Sequence, residues 1–374
     1  MSYSRLNEIY DDHVNLADGG LGLSLEDKYG LQIAHTPLWS TRAVLDDGGQ
    51  GSQNLLQAHL DFLRAGARTL LTSTYQAAFN TFEREGYDRS HALELMSNAV
   101  AIADKARSLY CHKNTDVRPR DIRIVLSLGT FGATVSPMQD YSGIYPPPYG
   151  PRAYTRNGEN ITSFGDDTIG MEKSIQALAE FHAERVLAYA ENDQTWDTID
   201  AIAFETLSLA REVTAIRQAI ATVEDVLRER NKRTKPWWIT AVFPDGRCSE
   251  TGVPGGDNIP AEEVAAAMMR DEVIDGKPLA KPDGIGINCT EVQFLPALLE
   301  AFVQAAQHVR GQEVKWPWLV LKPNGGSGEA GTWAVDVARN VDNMQGFGWE
   351  GMIVGGCCKT THEFVDALRD VVVA

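Results

Sequence analysis

The sequence predicts a single (β/α)8 barrel, and three observations lead to this fold class. The chain has 374 residues, of which 43 % are hydrophobic and 23 % are charged, which is the composition of an ordinary folded domain. Eight short apolar runs alternate with longer amphipathic segments. Most of the runs are almost continuously apolar, which is typical of parallel strands covered on both faces. We therefore expect one α/β domain over residues 1–374, with an open doubly wound sheet as the structural alternative.

The predicted strands are short and rich in β-branched and aromatic residues. In chain order they are Asn15–Gly20, Ala67–Ser73, Ile122–Gly129, Asp200–Thr206, Pro236–Phe243, Gly284–Cys289, Trp318–Asn324 and Gly351–Cys358.

The predicted helices are identified by their apolar spacing and by their caps. Within Leu55–Ala65, leucines spaced four and three residues apart form one apolar face, and Gly66 lies where a C-terminal cap belongs. After Cys289, Thr290 is placed as the N-cap of the next helix. Similar patterns predict helices over 91–110, 170–191, 208–228, 260–270, 333–340 and 361–371.

Residues 136–166 interrupt the alternation of strands and helices. This segment is rich in Pro, Gly and Tyr and follows the third predicted strand. In a barrel it would lie over the C-terminal mouth, where active sites form, and a structureless loop of this length is usually functional. We expect a lid, with a plain surface insertion as the alternative.

Charge and hydropathy exclude several classes of partner. The formal net charge is −17, which disfavours nucleic-acid binding through a broad basic face, and the sequence contains no polybasic stretch for anionic membranes. No run approaches 18 consecutive apolar residues, and the N-terminal residues lack a signal-peptide pattern. We therefore expect a cytoplasmic protein, in which the five cysteines serve metal binding or chemistry rather than disulfides.

Polar side chains gather at the C-terminal ends of the predicted strands. In a barrel these ends converge on one mouth, although they are distant in sequence. The residues are Asp18, Thr72–Thr74, Glu205, Asn288, Cys289, Asn324, Cys357 and Cys358.

Three of the cysteines, Cys289, Cys357 and Cys358, lie at strand ends and suit a divalent metal such as zinc. Three protein ligands with an open fourth position are the pattern of a catalytic site. Two alternatives stay open: Cys357 and Cys358 could be ordinary buried thiols, or Cys248 could complete a structural site. Cys111 lies late in a helix and is interpreted as a core residue.

The motifs of the chain resemble those of the homocysteine S-methyltransferases. In order they are ADGG (17–20), LWS (38–40), AGA (65–67), TSTYQAAF (72–79), FETLSLAREV (204–213), GINCT (286–290) and GGCCKTT (355–361). The resemblance extends from about residue 15 to 371, and GINC followed by GGCC is its most specific part. The TSTYQA run is similar to the branch that uses S-methylmethionine or S-adenosylmethionine as methyl donor.

The resemblance implies a catalytic role through zinc for Cys289, Cys357 and Cys358, with the homocysteine thiolate as fourth ligand. It also implies that the substrate-binding residues surround the amino-acid end of homocysteine. Asp18 and Glu205 match acids at that end, the backbone of Gly19 and Gly20 would receive its carboxylate, and Tyr75, Gln76 and Asn288 are further matched positions.

The sequence departs from the family pattern in the donor region. Leu23 stands where relatives often carry Thr, Lys322 where they often carry Tyr, and the 136–166 loop is longer than in compact members. The donor is therefore left open between the two sulfonium compounds, and no motif specifies an oligomeric state.

Three rival functions remain at this stage. The chain could methylate selenocysteine or another thiol, or it could bind zinc or an amino acid without turnover. A metal-dependent hydrolase is a third possibility, but it requires His ligands at strand ends, and the eight histidines avoid those positions.

Overall fold

The computed structural model of the chain describes residues 4–34, 36–45, 48–274, 276–311, 315–326 and 328–372. Its centre is a sheet of eight parallel strands. They are β1 Val14–Leu16, β2 Thr69–Leu71, β3 Arg123–Gly129, β4 Ala201–Leu207, β5 Trp237–Ala241, β6 Gly284–Glu291, β7 Trp318–Asn324 and β8 Met352–Val354.

The sheet closes on itself because the strands at the two ends of its hydrogen-bonded order, β1 and β2, also pair. Strands β1 to β8 pair in the circular order expected of a barrel, and the bridge between Ala17 and Thr69 joins β1 to β2. The backbone N–H of Asp18 donates to Thr69 across the same seam at 3.0 Å. The prediction of a (β/α)8 barrel is confirmed, and the open sheet is excluded.

Helices surround the barrel and cover the outer faces of its strands. They are α1 Leu21–Asp27, α2 Gln50–Arg64, α3 Phe79–Arg84, α4 Arg89–Lys113, α5 Thr168–Tyr189, α6 Asp193–Thr198, α7 Ala210–Glu229, α8 Ala261–Met269, α9 Leu295–Arg310, α10 Ala330–Met344 and α11 His362–Val372. Gly66 follows α2 with φ +107°, so it ends this helix as its position predicts.

The bottom of the barrel is filled by large side chains. Trp238 and Trp318 lie inside it together with Leu6 and Tyr10 from the N-terminal segment, and all four are buried. Because this end is packed, a ligand can enter only from the C-terminal mouth.

Two local features differ from the sequence-based expectations. Thr290 does not cap the helix after β6: its hydroxyl accepts a hydrogen bond from the Phe243 N–H at 3.0 Å, and α9 begins only at Leu295. The strand continues through Thr290 because its side chain ties β6 to the segment after β5. In addition, Val273–Ile274 and Lys277–Pro278 form a short antiparallel hairpin that the apolar pattern does not predict.

The 136–166 loop is anchored along its length to the barrel and its helices. The Gln139 N–H donates to the Gly132 carbonyl at 2.8 Å, and the Tyr145 hydroxyl donates to Glu212 at 2.7 Å. Farther along, the Arg211 guanidinium donates to the Thr162 carbonyl at 2.6 Å. These contacts fix the path of the loop beside the mouth, while its movement as a lid stays a prediction.

Candidate metal centre and active site

A cavity opens at the C-terminal mouth of the barrel, and it contains the residues on which the sequence analysis converges. All ten residues to which the family resemblance gives a role line it: Asp18, Gly19, Gly20, Tyr75, Gln76, Glu205, Asn288, Cys289, Cys357 and Cys358. Of the other polar strand-end residues, Thr72 lines the cavity, while Ser73, Thr74 and Asn324 do not. The strand ends therefore meet as the barrel topology requires.

The sulfurs of Cys289, Cys357 and Cys358 lie within 4.8 Å of one another. Those of Cys289 and Cys358 are 3.9 Å apart. Two thiolates on one tetrahedral zinc ion would be separated by roughly 3.8 Å, given zinc–sulfur bonds of about 2.3 Å. This spacing and donor set fit zinc.

Cys289 and Cys357 are joined as a disulfide in the structure. The expectation that the cysteines stay free of disulfides is therefore wrong for this pair. The fold brings both sulfurs to one point, where they can bond to each other or share an ion. Holding a metal requires both in the reduced form.

The backbone is bent at the ends of β4 and β6, the two strands on either side of β5, where polar side chains turn into the cavity. Thr206 and Cys289 have positive φ values of 67° and 50°. Strand pairing shifts register next to each of them, which is the signature of a β-bulge. Such backbone conformations are costly for residues with a side chain, and they concentrate at functional sites.

Each cysteine sulfur has its own polar neighbour. The Thr206 hydroxyl donates to the Cys289 sulfur at 3.7 Å, and the Asn288 amide donates to the Cys357 sulfur at 3.9 Å. The Tyr141 hydroxyl lies 3.6 Å from the Cys358 sulfur. Such contacts orient metal ligands and stabilise their charge.

Asn288 is itself fixed by two further hydrogen bonds. It accepts from the Thr206 N–H at 2.9 Å and donates to the Thr206 hydroxyl at 2.8 Å. The two strand ends that carry Thr206 and Cys289 are thus locked together by one buried amide.

Gly19 and Gly20 pack against the turn that carries two of the cysteines. A Cβ on Gly20 would lie 2.5 Å from the Cys357 carbonyl oxygen, and one on Gly19 would lie 2.6 Å from the Thr360 carbonyl oxygen. The Gly20 N–H donates to the Thr360 carbonyl at 2.8 Å. The Gly20 N–H is thus already paired within the protein, and the expectation that the backbone around Gly19 and Gly20 receives the substrate carboxylate stays a prediction.

Lys322 connects the two predicted acids at the base of the cavity. Its ammonium is 3.4 Å from Asp18 and 3.3 Å from Glu205, and all three side chains are buried. Burial lowers the pKa of Lys322, but the two carboxylates outweigh this effect and raise it above its ordinary value. Burial raises the pKa of Asp18 to about 6 in spite of the lysine. The group carries two negative charges and one positive charge.

Tyr75 and Gln76 are positioned by a buried arginine. Arg185 donates to the carbonyls of Tyr75 at 2.9 Å, Ala77 at 3.0 Å and Gly129 at 2.7 Å. The side-chain oxygen of Gln76 is buried and has no hydrogen-bond partner in the described part of the chain. An unpaired acceptor on a cavity wall is suited to a donor group on a ligand.

Several cavity residues were not predicted from the sequence. Met138, Asp140 and Tyr141 come from the long loop, and Trp39 comes from the LWS motif. The convergence of strand ends predicts the positions of residues in strands, but not of residues in loops whose path is irregular. The position of the loop after β3 was the available signal, since it placed residues 136–166 at the mouth.

The remaining two cysteines lie outside the cluster. Cys248 is buried elsewhere and donates to the Ser208 carbonyl at 3.5 Å, so it does not complete a four-thiolate site. Cys111 is half-buried in α4.

The family model of the homocysteine S-methyltransferases matches residues 15–372. The chain belongs to the homocysteine S-methyltransferase family. It is therefore a methyltransferase, and a barrel that only binds zinc or an amino acid is set aside.

The similar curated proteins include plant enzymes. The chain is 28 % identical to a selenocysteine Se-methyltransferase of Brassica oleracea var. italica over 95 % of its length and 87 % of that protein. It is also 28 % identical to homocysteine S-methyltransferase 2 of Arabidopsis thaliana, over 94 % of its length and 91 % of the relative.

Among solved structures, the metallated form of the homocysteine methyltransferase MmuM from Escherichia coli has a TM-score of 0.64 and 24 % identity, with 98 % of this chain and 99 % of that chain covered. Its oxidized form has a TM-score of 0.66 and 23 % identity, with 98 % of each chain covered. These similarities support the barrel fold.

Among the described residues, no helix is both long and apolar enough to cross a bilayer.

Proposed function

We propose that the chain moves a methyl group from a sulfonium donor, S-methylmethionine or S-adenosylmethionine, to the thiol of homocysteine, and that it requires zinc. The observation that carries the proposal is the convergence of three cysteine sulfurs in one cavity of a family member. The products would be methionine and the demethylated donor.

Cys289, Cys357 and Cys358 would hold the zinc ion. With three protein ligands, the ion would still be able to take up the substrate thiol, and a related structure is described as metallated. When bound, zinc would supply a Lewis acid that favours the deprotonated form of that thiol.

The surrounding residues would orient this centre and keep it dry. Thr206, Asn288 and Tyr141 each lie beside one cysteine sulfur. Their hydrogen bonds fix the directions of the sulfurs and spread their negative charge. The walls are largely apolar and the barrel bottom is packed, so water can reach the thiols only through the mouth.

The charged group at the base would receive the amino-acid end of homocysteine. Asp18, Glu205 and Lys322 together carry one net negative charge, which the α-ammonium group of the substrate would neutralise. Gln76 offers an unpaired oxygen to the same end of the ligand. Two opposite charges buried together cost far less than one alone.

The methyl transfer itself needs no acid on the leaving group. A new bond forms between the homocysteine sulfur and the methyl carbon, while the carbon–sulfur bond of the donor breaks and its electron pair stays on the donor sulfur. The donor leaves as a neutral thioether, and the thiol proton passes to solvent. The protein's task is to align the two sulfurs with the methyl carbon between them.

Reducing conditions such as those of the cytoplasm suit this chemistry, because they keep cysteine ligands as thiols. We therefore retain a cytoplasmic location as part of the proposal.

A second candidate acceptor is selenocysteine. The observation that favours it is the 28 % identity to a selenocysteine Se-methyltransferase, which equals the identity to the homocysteine enzyme of Arabidopsis thaliana. Selenocysteine carries the same amino-acid group on a chain one carbon shorter, so both acceptors could use the same charged group.

The proposal is tested by measuring methionine formation from homocysteine with each sulfonium donor, for the zinc-loaded protein and for Cys289→Ser. Cys111→Ser is the matched control, since Cys111 lies outside the cluster. We expect turnover in the native protein and the control, and loss of both turnover and bound zinc in Cys289→Ser. A native protein that methylates selenocysteine but not homocysteine would replace the acceptor, and one that uses neither donor would refute the proposal.

A further inference from the structure

The buried carboxylates of the described residues follow a common rule, and one of them breaks it. Five of these side chains pair with a basic group: Asp18 and Glu205 with Lys322, Glu212 with His182, Glu250 with Arg211, and Asp283 with Arg5. Asp140 is 8 % exposed and forms no ion pair in the described part of the chain. A buried carboxylate without a cation is expensive, so it needs a reason.

The position of Asp140 is imposed by its neighbours. The N–H of Gln139 is bound to Gly132, and a Cβ on Gly132 would lie 2.9 Å from the Asp140 nitrogen, so the backbone here is tightly packed. On the other side, the Ser249 hydroxyl donates to the Tyr141 carbonyl at 2.5 Å. The carboxylate is therefore held on the cavity wall.

The only side-chain hydrogen bond that reaches Asp140 within the described residues is a weak one. The Tyr75 hydroxyl donates to it at 3.4 Å, and the backbone N–H groups of Asp140 and Tyr141 also interact with it. A carboxylate has about four acceptor positions, so capacity toward the cavity is left. Burial raises the pKa of Asp140 to about 6, so the side chain is still largely ionised at neutral pH.

Aromatic rings line the same cavity. Tyr75, Tyr141 and Trp39 line it together with Asp140. Trp39 has a positive φ of 38°, and its ring lies so close to Gly22 that a Cβ there would be 2.6 Å away. A strained backbone and a glycine thus accommodate this ring at the cavity wall. Aromatic faces and a carboxylate together attract soft, weakly hydrated cations.

We infer that Asp140, with the rings of Tyr75 and Tyr141, recognises the positive charge of the sulfonium donor. The inference rests on the proposed function and adds to it the residues that select a charged donor over its neutral thioether. Asp140 supplies the missing counter-charge, and the two rings supply polarisable faces. The ligand completes the ion pair that the protein itself does not.

The location favours the donor over the acceptor. Tyr141 follows Asp140 directly, and its hydroxyl is 3.6 Å from the Cys358 sulfur, so this wall adjoins the thiols where the methyl group must arrive. The ammonium of the acceptor has its own acidic group, formed by Asp18 and Glu205 at the base. Each cation therefore has a separate carboxylate site.

The inference is tested by calorimetric binding of S-methylmethionine and of methionine, its neutral counterpart, to the native protein and to Asp140→Asn. We expect Asp140→Asn to weaken binding of S-methylmethionine on the order of ten- to a hundredfold, because a charge pair at contact distance is lost in a poorly hydrated site. Binding of methionine should stay within about twofold, since it carries no sulfonium charge. Asp140→Glu, which keeps the charge, should recover part of the loss, and Asp342→Asn on the outer surface serves as the control.

Steady-state kinetics supply the second measurement. The KM for the donor should rise in Asp140→Asn, while the KM for homocysteine should not. Equal weakening of S-methylmethionine and methionine, or a rise confined to the KM for homocysteine, would overturn the inference. Because binding is measured apart from turnover, a protein that binds the sulfonium through Asp140 but does not methylate homocysteine would refute only the proposed acceptor.

Discussion

Replacing Lys322 with methionine removes the cation from between two buried carboxylates while keeping a side chain of similar length. The ammonium lies 3.4 Å from Asp18 and 3.3 Å from Glu205. At these distances each attraction is about 5 kcal/mol at an effective dielectric constant of about 20, and the cost of burying three charges offsets most of it. Removing one partner from a buried ion pair typically costs about 3–5 kcal/mol, so we expect the free energy of unfolding to fall by that amount.

The assay is urea unfolding of both proteins at neutral pH, with Lys277→Met as the control. Lys277 is 75 % exposed and lies 3.7 Å from Asp225, so its loss should cost less than about 1 kcal/mol. The pH dependence carries a second expectation. Without the lysine the pKa of Asp18 should rise above its value of about 6, because burial already raises it and Lys322 is what lowers it. The deficit of Lys322→Met should therefore be largest above that pH and should shrink in acid, where Asp18 takes up a proton.

A double variant separates electrostatics from packing. Adding Glu205→Gln to Lys322→Met leaves a single carboxylate, so it should restore stability relative to Lys322→Met although it removes another native group. If Lys322→Met costs no more than the Lys277 control, or if Glu205→Gln lowers stability equally with and without Lys322, the three charges do not form a coupled group and the reasoning fails.

Three further predictions follow from the site. Asp140→Asn should raise the free energy of unfolding by about 3 kcal/mol near neutral pH. Folding raises the pKa of this carboxyl from 3.8 to about 6, so its ionisation destabilises the native protein as the pH climbs through that window. Urea unfolding at about pH 4 and pH 7 should show the gain only at the higher pH, and an equal gain at both would contradict the assignment. Gly20→Ala should lower bound zinc and cost about 1–3 kcal/mol, because its Cβ would lie 2.5 Å from the Cys357 carbonyl oxygen; metal analysis and thermal unfolding should show no such loss in Gly331→Ala, where a Cβ meets open space. Arg185→Met should cost about 3–5 kcal/mol, because the carbonyls of Ala77 and Gly129 lose the guanidinium as donor and that of Tyr75 keeps the Gly129 N–H. A loss below about 1 kcal/mol in urea unfolding would show that other groups or water satisfy these carbonyls.

The sequence was sufficient to predict the barrel and the convergence of the thiols, for one physical reason. Parallel strands buried on both faces must be continuously apolar, so they stand out from amphipathic helices, and barrel closure then brings their C-terminal ends together. Cys289 on β6 and Cys357 after β8 could be placed in one cavity in this way, without knowledge of any distance.

The features of the site that the sequence did not predict depend on irregular backbone. The bulges at Thr206 and Cys289 and the path of the loop that carries Asp140 follow from packing rather than from periodicity. The capping role expected of Thr290 failed because a tertiary hydrogen bond to Phe243 competes with a local one. The bridging role of Lys322 could not be foreseen either, since the identity of a residue does not reveal which two carboxylates will face it.

The seam between the first and last strands has a consequence for the order in which the molecule matures. Val14 pairs with Met352 across it, and the carbonyl of Asp18 accepts the N–H of Gly356 beside the last two cysteines. The first and the last strand must therefore both be present before the thiol cluster exists. Cys289 and Cys357 are themselves 68 residues apart in the sequence. During synthesis on the ribosome, the metal centre can form only after β8 has emerged. Zinc can therefore stabilise a completed barrel but cannot nucleate its folding. A chain that stalls before β8 lacks two of the three sulfurs.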